Sequence, residues 1–341
     1  MKSIWIQSKG GPEKLQLRDT KKPTLKADEV LIQVKAFGLN FADVLARLGM
    51  YPDAPAFPFI PGYEISGIVE KIGTAVNSLK EGDKVLALTS FGGYAEYATA
   101  NELATRKIPE NLSWAEAAAL PVNALTAYVA IIQRGHLHEG EKVFIQAAAG
   151  GVGLCAVQMA KARNAIIFAT AGSEAKCTFL KNFGVDYPLN YQTQDYEIEI
   201  LKLTDNLGVD LILDSLGGHH FKKEMKLLKA NGRLCAIGVA SMVQDGKRNL
   251  LNMAKEYVQT PRFLPYDLMM RDQSFIGINL KRLSEQKPAA LAQCLQEILQ
   301  WVKEGKLKPI LAKTFKIDQI QDAHLYLQER KNIGKVVVEI D

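Results

Sequence analysis

The sequence predicts an α/β protein of two domains, a β-rich one followed by a parallel sheet flanked by helices. Three observations carry this expectation. The 341 residues exceed the usual ceiling for a single hydrophobic core. Residues 3–104 consist of short alternating or apolar runs punctuated by glycine and proline, which read as twisted strands and tight turns, not helices. From Glu141 onward, strand-like runs alternate with helix-like ones, the pattern of a parallel sheet. A cleft between domains is then the natural place for a ligand.

In the first domain the clearest strands are residues 30–36, 65–72 and 84–88. Ser113 and Glu116 stand at capping-box spacing, so a helix opens at Trp114. Residues 117–132 are apolar but too short for a membrane span and carry Pro121 and Asn123, so they read as a buried segment between domains. In the second domain strands are expected at 142–147, 165–170, 209–214, 233–239 and 274–280. Helices are expected at 151–163, at 174–183 with Gly184 as terminator, near 219–228, and at 291–302. The run 334–340 is placed to return to the first domain, which then comprises 1–121 and 285–341 around a second domain of 122–284.

Composition excludes several classes of function. The net charge of +5 is spread along the chain, with only short pairs such as Lys21-Lys22 and Lys222-Lys223. No nucleic-acid motif accompanies it, so the charge reads as a solvated surface that favours anionic small molecules. Nothing resembles a secretory signal or an integral membrane segment. The four cysteines are far apart and show neither disulfide-framework density nor metal spacing, which fits a reducing, cytoplasmic compartment.

The strongest motif is Phe144-Ile145-Gln146-Ala147-Ala148-Ala149-Gly150-Gly151-Val152-Gly153, which follows a strand and opens a helix. That context is the one a dinucleotide fingerprint needs. Gly150 lets backbone approach a pyrophosphate, Gly153 permits close packing of helix on strand, and the first N–H groups of the helix offer an anion site. Ala148 replaces the first glycine of the usual pattern. An acid that would hold a ribose is absent from the tip of the next strand, which reads Ala171-Gly172-Ser173. NADPH is therefore favoured over NADH, with Ser173 and Lys176 as donors to a 2′-phosphate and Tyr191 near the adenine or that phosphate. The alternative is a surface helix start with an incidental lysine, and Glu174 weakens the local field.

Together with Gly38-Leu39-Asn40-Phe41-Ala42-Asp43, Pro61-Gly62-Tyr63-Glu64, Gly82-Asp83-Lys84-Val85 and Gly334-Lys335-Val336-Val337, this loop resembles the medium-chain dehydrogenase/reductases. Within them the chain is similar to the zinc-independent quinone oxidoreductases, especially the branch of the vesicle amine transport protein homologues. The resemblance covers essentially the whole chain and implies a GroES-like β domain plus a Rossmann doubly wound parallel-sheet domain. Zinc-dependent members carry cysteine and histidine where this chain has Asn40 and Tyr63, and an amide and a phenol do not replace them around Zn²⁺. The structural zinc lobe is also missing, since residues 86–97 contain no cysteine.

The implied chemistry is hydride transfer to a small hydrophobic quinone or enone, whose developing oxyanion needs only hydrogen bonds and a proton. The resemblance makes Asn40 and Tyr51 the catalytic candidates, Tyr51 matching a proposed proton donor of enoyl thioester reductases. It gives a cofactor-binding set of Asn40, Thr126, Ala149, Gly150, Gly151, Val152, Gly153, Ser173, Lys176, Tyr191 and Asn332. Each donor has a plainer alternative: Asn40 satisfying its loop, Tyr51 as an aromatic turn residue, Thr126 bonding back along its helix. Asp43 reads as a structural acceptor, His136, His138, His219 and His220 as solvent-exposed, and Cys155 as a packing residue. A homodimer through the edge strand 274–280 is expected. Residues 242–271 read as a mobile apolar insert over the pocket or as an interface. Two other functions stay open: an enoyl thioester reductase, for which no basic cluster is evident, and a weakly catalytic NADPH-binding scaffold or membrane-associated protein.

Overall fold

The computed structural model describes residues 1–243 and 250–340. Among these, residues 1–125 with 280–340 form one compact unit, and residues 126–243 with 250–279 form the other. The strands of the first part of the chain are β1 (Lys2–Ile6), β2 (Leu15–Asp19), β3 (Glu29–Gly38), β4 (Glu64–Ile72), β5 (Lys84–Leu88), β6 (Tyr97–Asn101) and β7 (Thr105–Lys107). Next come β8 (Lys142–Ile145), β9 (Ile166–Ala171), β10 (Tyr187–Asn190), β11 (Val209–Asp214), β12 (Leu228–Ala236) and β13 (Gln273–Gly277). Last are β14 (Leu311–Lys316) and β15 (Lys335–Glu339).

In the first unit seven strands form one sheet in the order β14-β15-β3-β4-β5-β7, with β6 also pairing β3. The chain returns to complete it: Val337 on β15 pairs with Gly38, and Val338 with Phe37. Alternating inward residues build the core, among them Ile32, Phe37, Val69, Val85 and Val338, all at most 1% exposed. One α-helix, besides two single 3-10 turns at Pro12–Lys14 and Glu102–Ala104, interrupts the expected all-strand reading of residues 3–104. Helix α1 (Phe41–Arg47) forms because the Asn40 N–H donates to Asp43 Oδ2 at 2.8 Å, half of a capping box, and because Val44, Leu45 and Ala46 reach the core. Seven residues are too few for an apolar period to stand out. Helix α2 (Trp114–Ala118) opens as expected, with Ser113 N–H donating to Glu116 Oε2 at 2.9 Å and Glu116 N–H to Ser113 Oγ at 3.2 Å. Helix α3 (Pro121–Tyr128) follows.

The second unit is a six-stranded parallel sheet in the order β10-β9-β8-β11-β12-β13. Counted from its own first strand this is 3-2-1-4-5-6, the doubly wound arrangement, with the order reversing at β8. Ligands of such sheets bind beyond the carboxyl ends of the strands at that reversal. Helix α4 (Gly151–Lys161) leaves β8 there, and α5 (Glu174–Phe183) leaves β9, ending at Gly184 with φ 102°. Later helices are α6 (Tyr196–Leu203), α7 (His220–Leu227), α8 (Leu250–Gln259) and α9 (Pro265–Arg271).

Several strand boundaries differ from expectation by a residue or two, and those of β12 and β13 by more. Strand β12 starts at Leu228 and stops at Ala236, and β13 stops at Gly277, with Leu280 opening α10 (Leu280–Gln286). The apolar pattern at 278–280 matched a strand, but the ladder ends where Ile278 N–H donates to Ala236 O at 2.9 Å. Helix α11 (Pro288–Lys303) is longer than the 291–302 expected, since Pro288 is tolerated in a first turn. It is followed by α12 (Ile320–Gln328). Of the insert at 242–271, residues 244–249 lie outside the described residues; α8 and α9 take up most of the remainder. Among the described residues no helix is long and apolar enough to cross a membrane. All four cysteines are free thiols and buried, Cys155 included.

Candidate active site

In the first unit a buried charge pair organises the candidate donors. Lys335, the first residue of β15, and Glu64, the first of β4, have side chains 4% and 0% exposed and pair directly. Lys335 Nζ also donates to Asn40 Oδ1 at 2.6 Å and to Asn123 Oδ1, on α3, at 3.3 Å. Glu64 in turn accepts from Asn40 Nδ2 at 2.9 Å and from the Val122 N–H at 2.7 Å. The Asn40 amide is thus held at both ends, and does not cap its own helix. Gly38 has to be glycine beside this cluster: a Cβ there would lie 2.7 Å from Ala118 O, Glu64 Oε1 and Lys335 Cε.

Tyr51 is half-buried, and its ring meets Tyr63 edge-on with centroids 6.1 Å apart. Burial, then the charges of Asp53 and Asp43, raises the Tyr51 pKa. Tyr63 is raised further, first by burial and then by Asp43. Both phenols therefore keep their protons at neutral pH, and Tyr51 can donate one. Asp43 has one structural oxygen, as expected, the Oδ2 that accepts from Asn40 N–H. Its carboxyl is pushed up to about 7 by complete burial. Asn332 donates Nδ2 to Gly334 O at 2.8 Å, shaping the turn that delivers Lys335.

In the second unit the loop between β8 and α4 is tied down from beneath. Thr170 Oγ1 donates to Gln146 Oε1 at 2.6 Å and accepts from Ala147 N–H at 3.2 Å, while Ala148 N–H donates to Thr170 O at 2.9 Å. Gln146 Nε2 donates to Glu224 Oε1 at 2.8 Å. Burial pushes Glu224 well up and its neighbour Asp214 up to about 6, so Glu224 holds its proton beside the Asp214 carboxylate. Asp214 accepts from Gly217 N–H at 2.8 Å. The sharp turn is made at Ala147, with φ 49°, not at Ala148 where the fingerprint's first glycine would stand.

No side chain caps α4, whose N-cap is Gly150, so its first-turn N–H groups are available to an outside acceptor. A Cβ on Gly150 would approach only Ala147 O, at 3.4 Å, whereas one on Gly153 would lie 2.5 Å from the Ala148 backbone. The two glycines thus serve access and packing respectively. Ala149, Gly151 and Val152 complete the turn. At the end of the neighbouring β9, Ser173 accepts from Lys176 N–H at 3.3 Å as the N-cap of α5, and the Tyr191 hydroxyl closes on Gly172. Gly150, Ser173, Lys176 and Tyr191 therefore gather at the carboxyl ends of β8, β9 and β10. Thr126 is buried within α3.

Some functional features were not read from sequence. Glu64 and Lys335 were seen only as parts of motifs; the available signal was a lysine directly before the apolar run Val336-Val337-Val338. His219 and His220 are half-buried and partnered, contrary to the solvent-exposed expectation. His219 Nδ1 lies 2.9 Å from Glu256 Oε2, and His220 Nδ1 lies 3.0 Å from the Tyr196 hydroxyl. These partners are 37 and 24 residues away along the chain, beyond any local pattern. Among the described residues no group of three or more His, Cys, Asp or Glu side chains is placed to hold a metal ion.

Comparison with known proteins agrees with this architecture. Residues 26–110 match the model of the alcohol dehydrogenase GroES-like domain, and residues 183–338 that of the zinc-binding dehydrogenases. The synaptic vesicle membrane protein VAT-1 homolog of Danio rerio is 38% identical over 99% of this chain and 69% of its own length. Quinone oxidoreductase-like protein 2 of Bos taurus is 33% identical over 92% of this chain and 85% of its own. Among solved structures, the CurK enoyl reductase superposes with TM-score 0.85 at 32% identity, covering 100% of this chain and 99% of that one. Escherichia coli quinone oxidoreductase in complex with NADPH superposes with TM-score 0.87 at 25% identity, covering both chains fully at 100%. The chain belongs to the medium-chain dehydrogenase/reductase family of oxidoreductases, in the group of VAT-1 homologues and quinone oxidoreductase-like proteins.

Proposed function

We propose that this protein is an NADPH-dependent, zinc-independent reductase of quinones or α,β-unsaturated carbonyls. The observation that carries the reading is the uncapped start of α4 behind Gly150, at the strand-order reversal of the parallel sheet. The likeness to a quinone oxidoreductase solved with NADPH supports it. Ala149, Gly150, Gly151, Val152 and Gly153 would hold the pyrophosphate, and Ser173, Lys176 and Tyr191 the 2′-phosphate end. Asn40, Thr126 and Asn332 complete the cofactor set.

NADPH, when bound, supplies the hydride to a conjugated carbon of the acceptor. Charge then develops on the acceptor's oxygen and has to be met by donors. Tyr51 is the donor for that oxygen or for the adjacent carbon, because its phenol is protonated at neutral pH and half-exposed. Asn40, fixed by Glu64 and Lys335, orients the acceptor or the nicotinamide amide. Zinc independence rests on the same residues: the Asn40 amide is committed to the ion pair, and the raised Tyr63 phenol does not ionise to become a ligand. A second reading, reduction of enoyl thioesters, is favoured by the likeness to the CurK enoyl reductase. A role at membranes is suggested by the names of the VAT-1 relatives alone.

We further propose a homodimer formed through β13. Among the described residues this strand ends the parallel sheet with an open edge, and beside it Leu264 and the α9 residues Tyr266, Met269 and Met270 are exposed at 62–66%. Light scattering at micromolar concentration is expected to return twice the chain mass, and a monomer contradicts the assignment.

Replacing Lys176 with Glu should weaken NADPH while sparing NADH, since a charge-assisted contact is worth about 1.5–3 kcal/mol. Equal loss for both cofactors in direct titration removes Lys176 from the 2′-phosphate site. Tyr51→Phe should lower enone turnover by about 10²- to 10⁴-fold with NADPH affinity unchanged. The assay panel holds a quinone, an alkenal and an enoyl thioester, with chelator present throughout. Unchanged turnover on every acceptor makes Tyr51 a wall residue, and activity that needs added Zn²⁺ overturns the metal-free reading.

A further inference from the structure

Phe91, in the turn between β5 and β6, has a backbone conformation that its side chain disfavours. Its φ is 68°, in the left-handed region, where a Cβ crowds the backbone and a bulky residue is an outlier. The next residue, Gly92, is left-handed as well, at 81°, but has no Cβ to crowd. Hydrogen bonds on both sides impose this shape. Before Phe91, Thr89 N–H donates to Tyr63 O at 2.8 Å and Thr89 Oγ1 to Gly62 O at 2.9 Å. After it, Gly92 N–H donates to Ile60 O at 2.9 Å and Tyr94 N–H to Pro61 O at 3.0 Å. Residues 89–94 are thus zipped to residues 60–63, and Phe91 is carried along with them. Glycine would take this φ without strain, so the presence of a ring calls for a reason.

The ring's neighbours supply that reason. Phe91 lies 4.9 Å from Tyr63, centroid to centroid, and 5.6 Å from Phe59, which it meets edge-on. Phe59 meets Phe57 at 5.4 Å. On its other side Tyr63 meets Tyr51, the candidate donor, at 6.1 Å. A single ring therefore stands between Phe91 and the phenol that serves the acceptor. Tyr63 and Phe59 are buried, at 8% and 6% exposed, whereas Tyr51, Phe57 and Phe91 are partly exposed. All five belong to the first unit, and together they form one aromatic row with its accessible surface at Tyr51, Phe91 and Phe57.

We propose that Phe91 is a specificity-determining residue of the acceptor site, selecting acceptors whose reducible double bond carries an aromatic ring. The inference rests on the reductase reading above and narrows its substrate class. Tyr51 fixes the end of the acceptor that receives the proton, and an aryl group on the β-carbon extends past it toward Tyr63 and Phe91. A flat ring makes offset or edge-on contacts with those faces that a saturated ring of the same size does not make. An open-chain alkenal can use the same donor, but it leaves the wall uncovered. Because the turn that carries Phe91 is pinned on both sides, little freedom is lost when an acceptor stacks there.

The test compares benzylideneacetone with the analogue whose phenyl ring is replaced by cyclohexyl. Phe91→Leu is expected to lower the ratio of their kcat/KM values, aryl over cyclohexyl, by about three- to tenfold, chiefly through the KM of the aryl enone. NADPH affinity in direct titration should not move. Phe91→Tyr restores a ring and should keep the wild-type ratio. Phe91→Gly suits the left-handed backbone, so it keeps the test open if Phe91→Leu disturbs the turn, and it should lose the ratio in the same way. A ratio unmoved by both Phe91→Leu and Phe91→Gly, including equal losses for the two enones, overturns the assignment and leaves the reductase reading intact. If the wild type reduces neither enone, that reading fails, and equilibrium binding of the two saturated ketones decides the wall by itself. Tighter binding of the phenyl ketone that is lost in Phe91→Leu supports it, and equal binding overturns it.

Discussion

The buried ion pair of Glu64 and Lys335 is the contact on which the candidate site of the first unit depends. It joins the start of β4 to the start of β15, strands that are separately paired to β3 and lie far apart in the chain. The same two side chains fix both ends of the Asn40 amide and bind the first turn of α3 through Val122. Gly38 is confined to a hydrogen by their closeness. Buried pairs of this kind add little net stability over an apolar pair of equal volume, yet losing one partner costs about 3–5 kcal/mol, because the other charge is left without compensation. The pair is therefore better understood as a device that specifies geometry than as a source of stability.

The second unit solves a related problem with neutral groups. A glycine-rich turn has little side-chain mass to hold it, so its shape is imposed by Gln146, Thr170 and Glu224 from the strand side. The links are hydrogen bonds between the neutral side chains of Gln146 and Thr170 and from Gln146 to Glu224, and burial keeps Glu224 protonated so that no second charge stands beside Asp214. One unit thus presents a fixed amide and protonated phenols, and the other an uncapped helix start. Asn40 is an amide locked in the ion-pair network, and Tyr63 is a phenol held neutral by burial.

Much of the architecture was legible in the sequence because it is written in local pattern. Helix α5 was bounded correctly at 174–183 with Gly184 as terminator, and the start of α2 was marked by the Ser113–Glu116 spacing, since caps and terminators act within a few residues. The turn before α4 was legible for the same reason. Helix α1 was missed because its apolar face is short and its cap is an asparagine whose side chain points elsewhere. The end of β13 was misplaced because residues 278–280 keep an apolar pattern after the ladder has run out. The Glu64–Lys335 pair, the His219–Glu256 contact and the Tyr63–Phe91 contact depend on residues tens to hundreds of positions apart, and no periodicity encodes such meetings. Motif resemblance pointed to the segments holding Glu64 and Lys335, but not to what they do.

The most direct test of the organising role of this pair is a double-mutant cycle on Glu64→Gln and Lys335→Met, reading unfolding free energy and enone turnover together. Each single change is expected to cost about 3–5 kcal/mol, and the double variant to recover much of that loss while turnover stays low, because Asn40 is no longer held. Single variants that lose under about 1 kcal/mol, or a double variant with full turnover, would contradict the account.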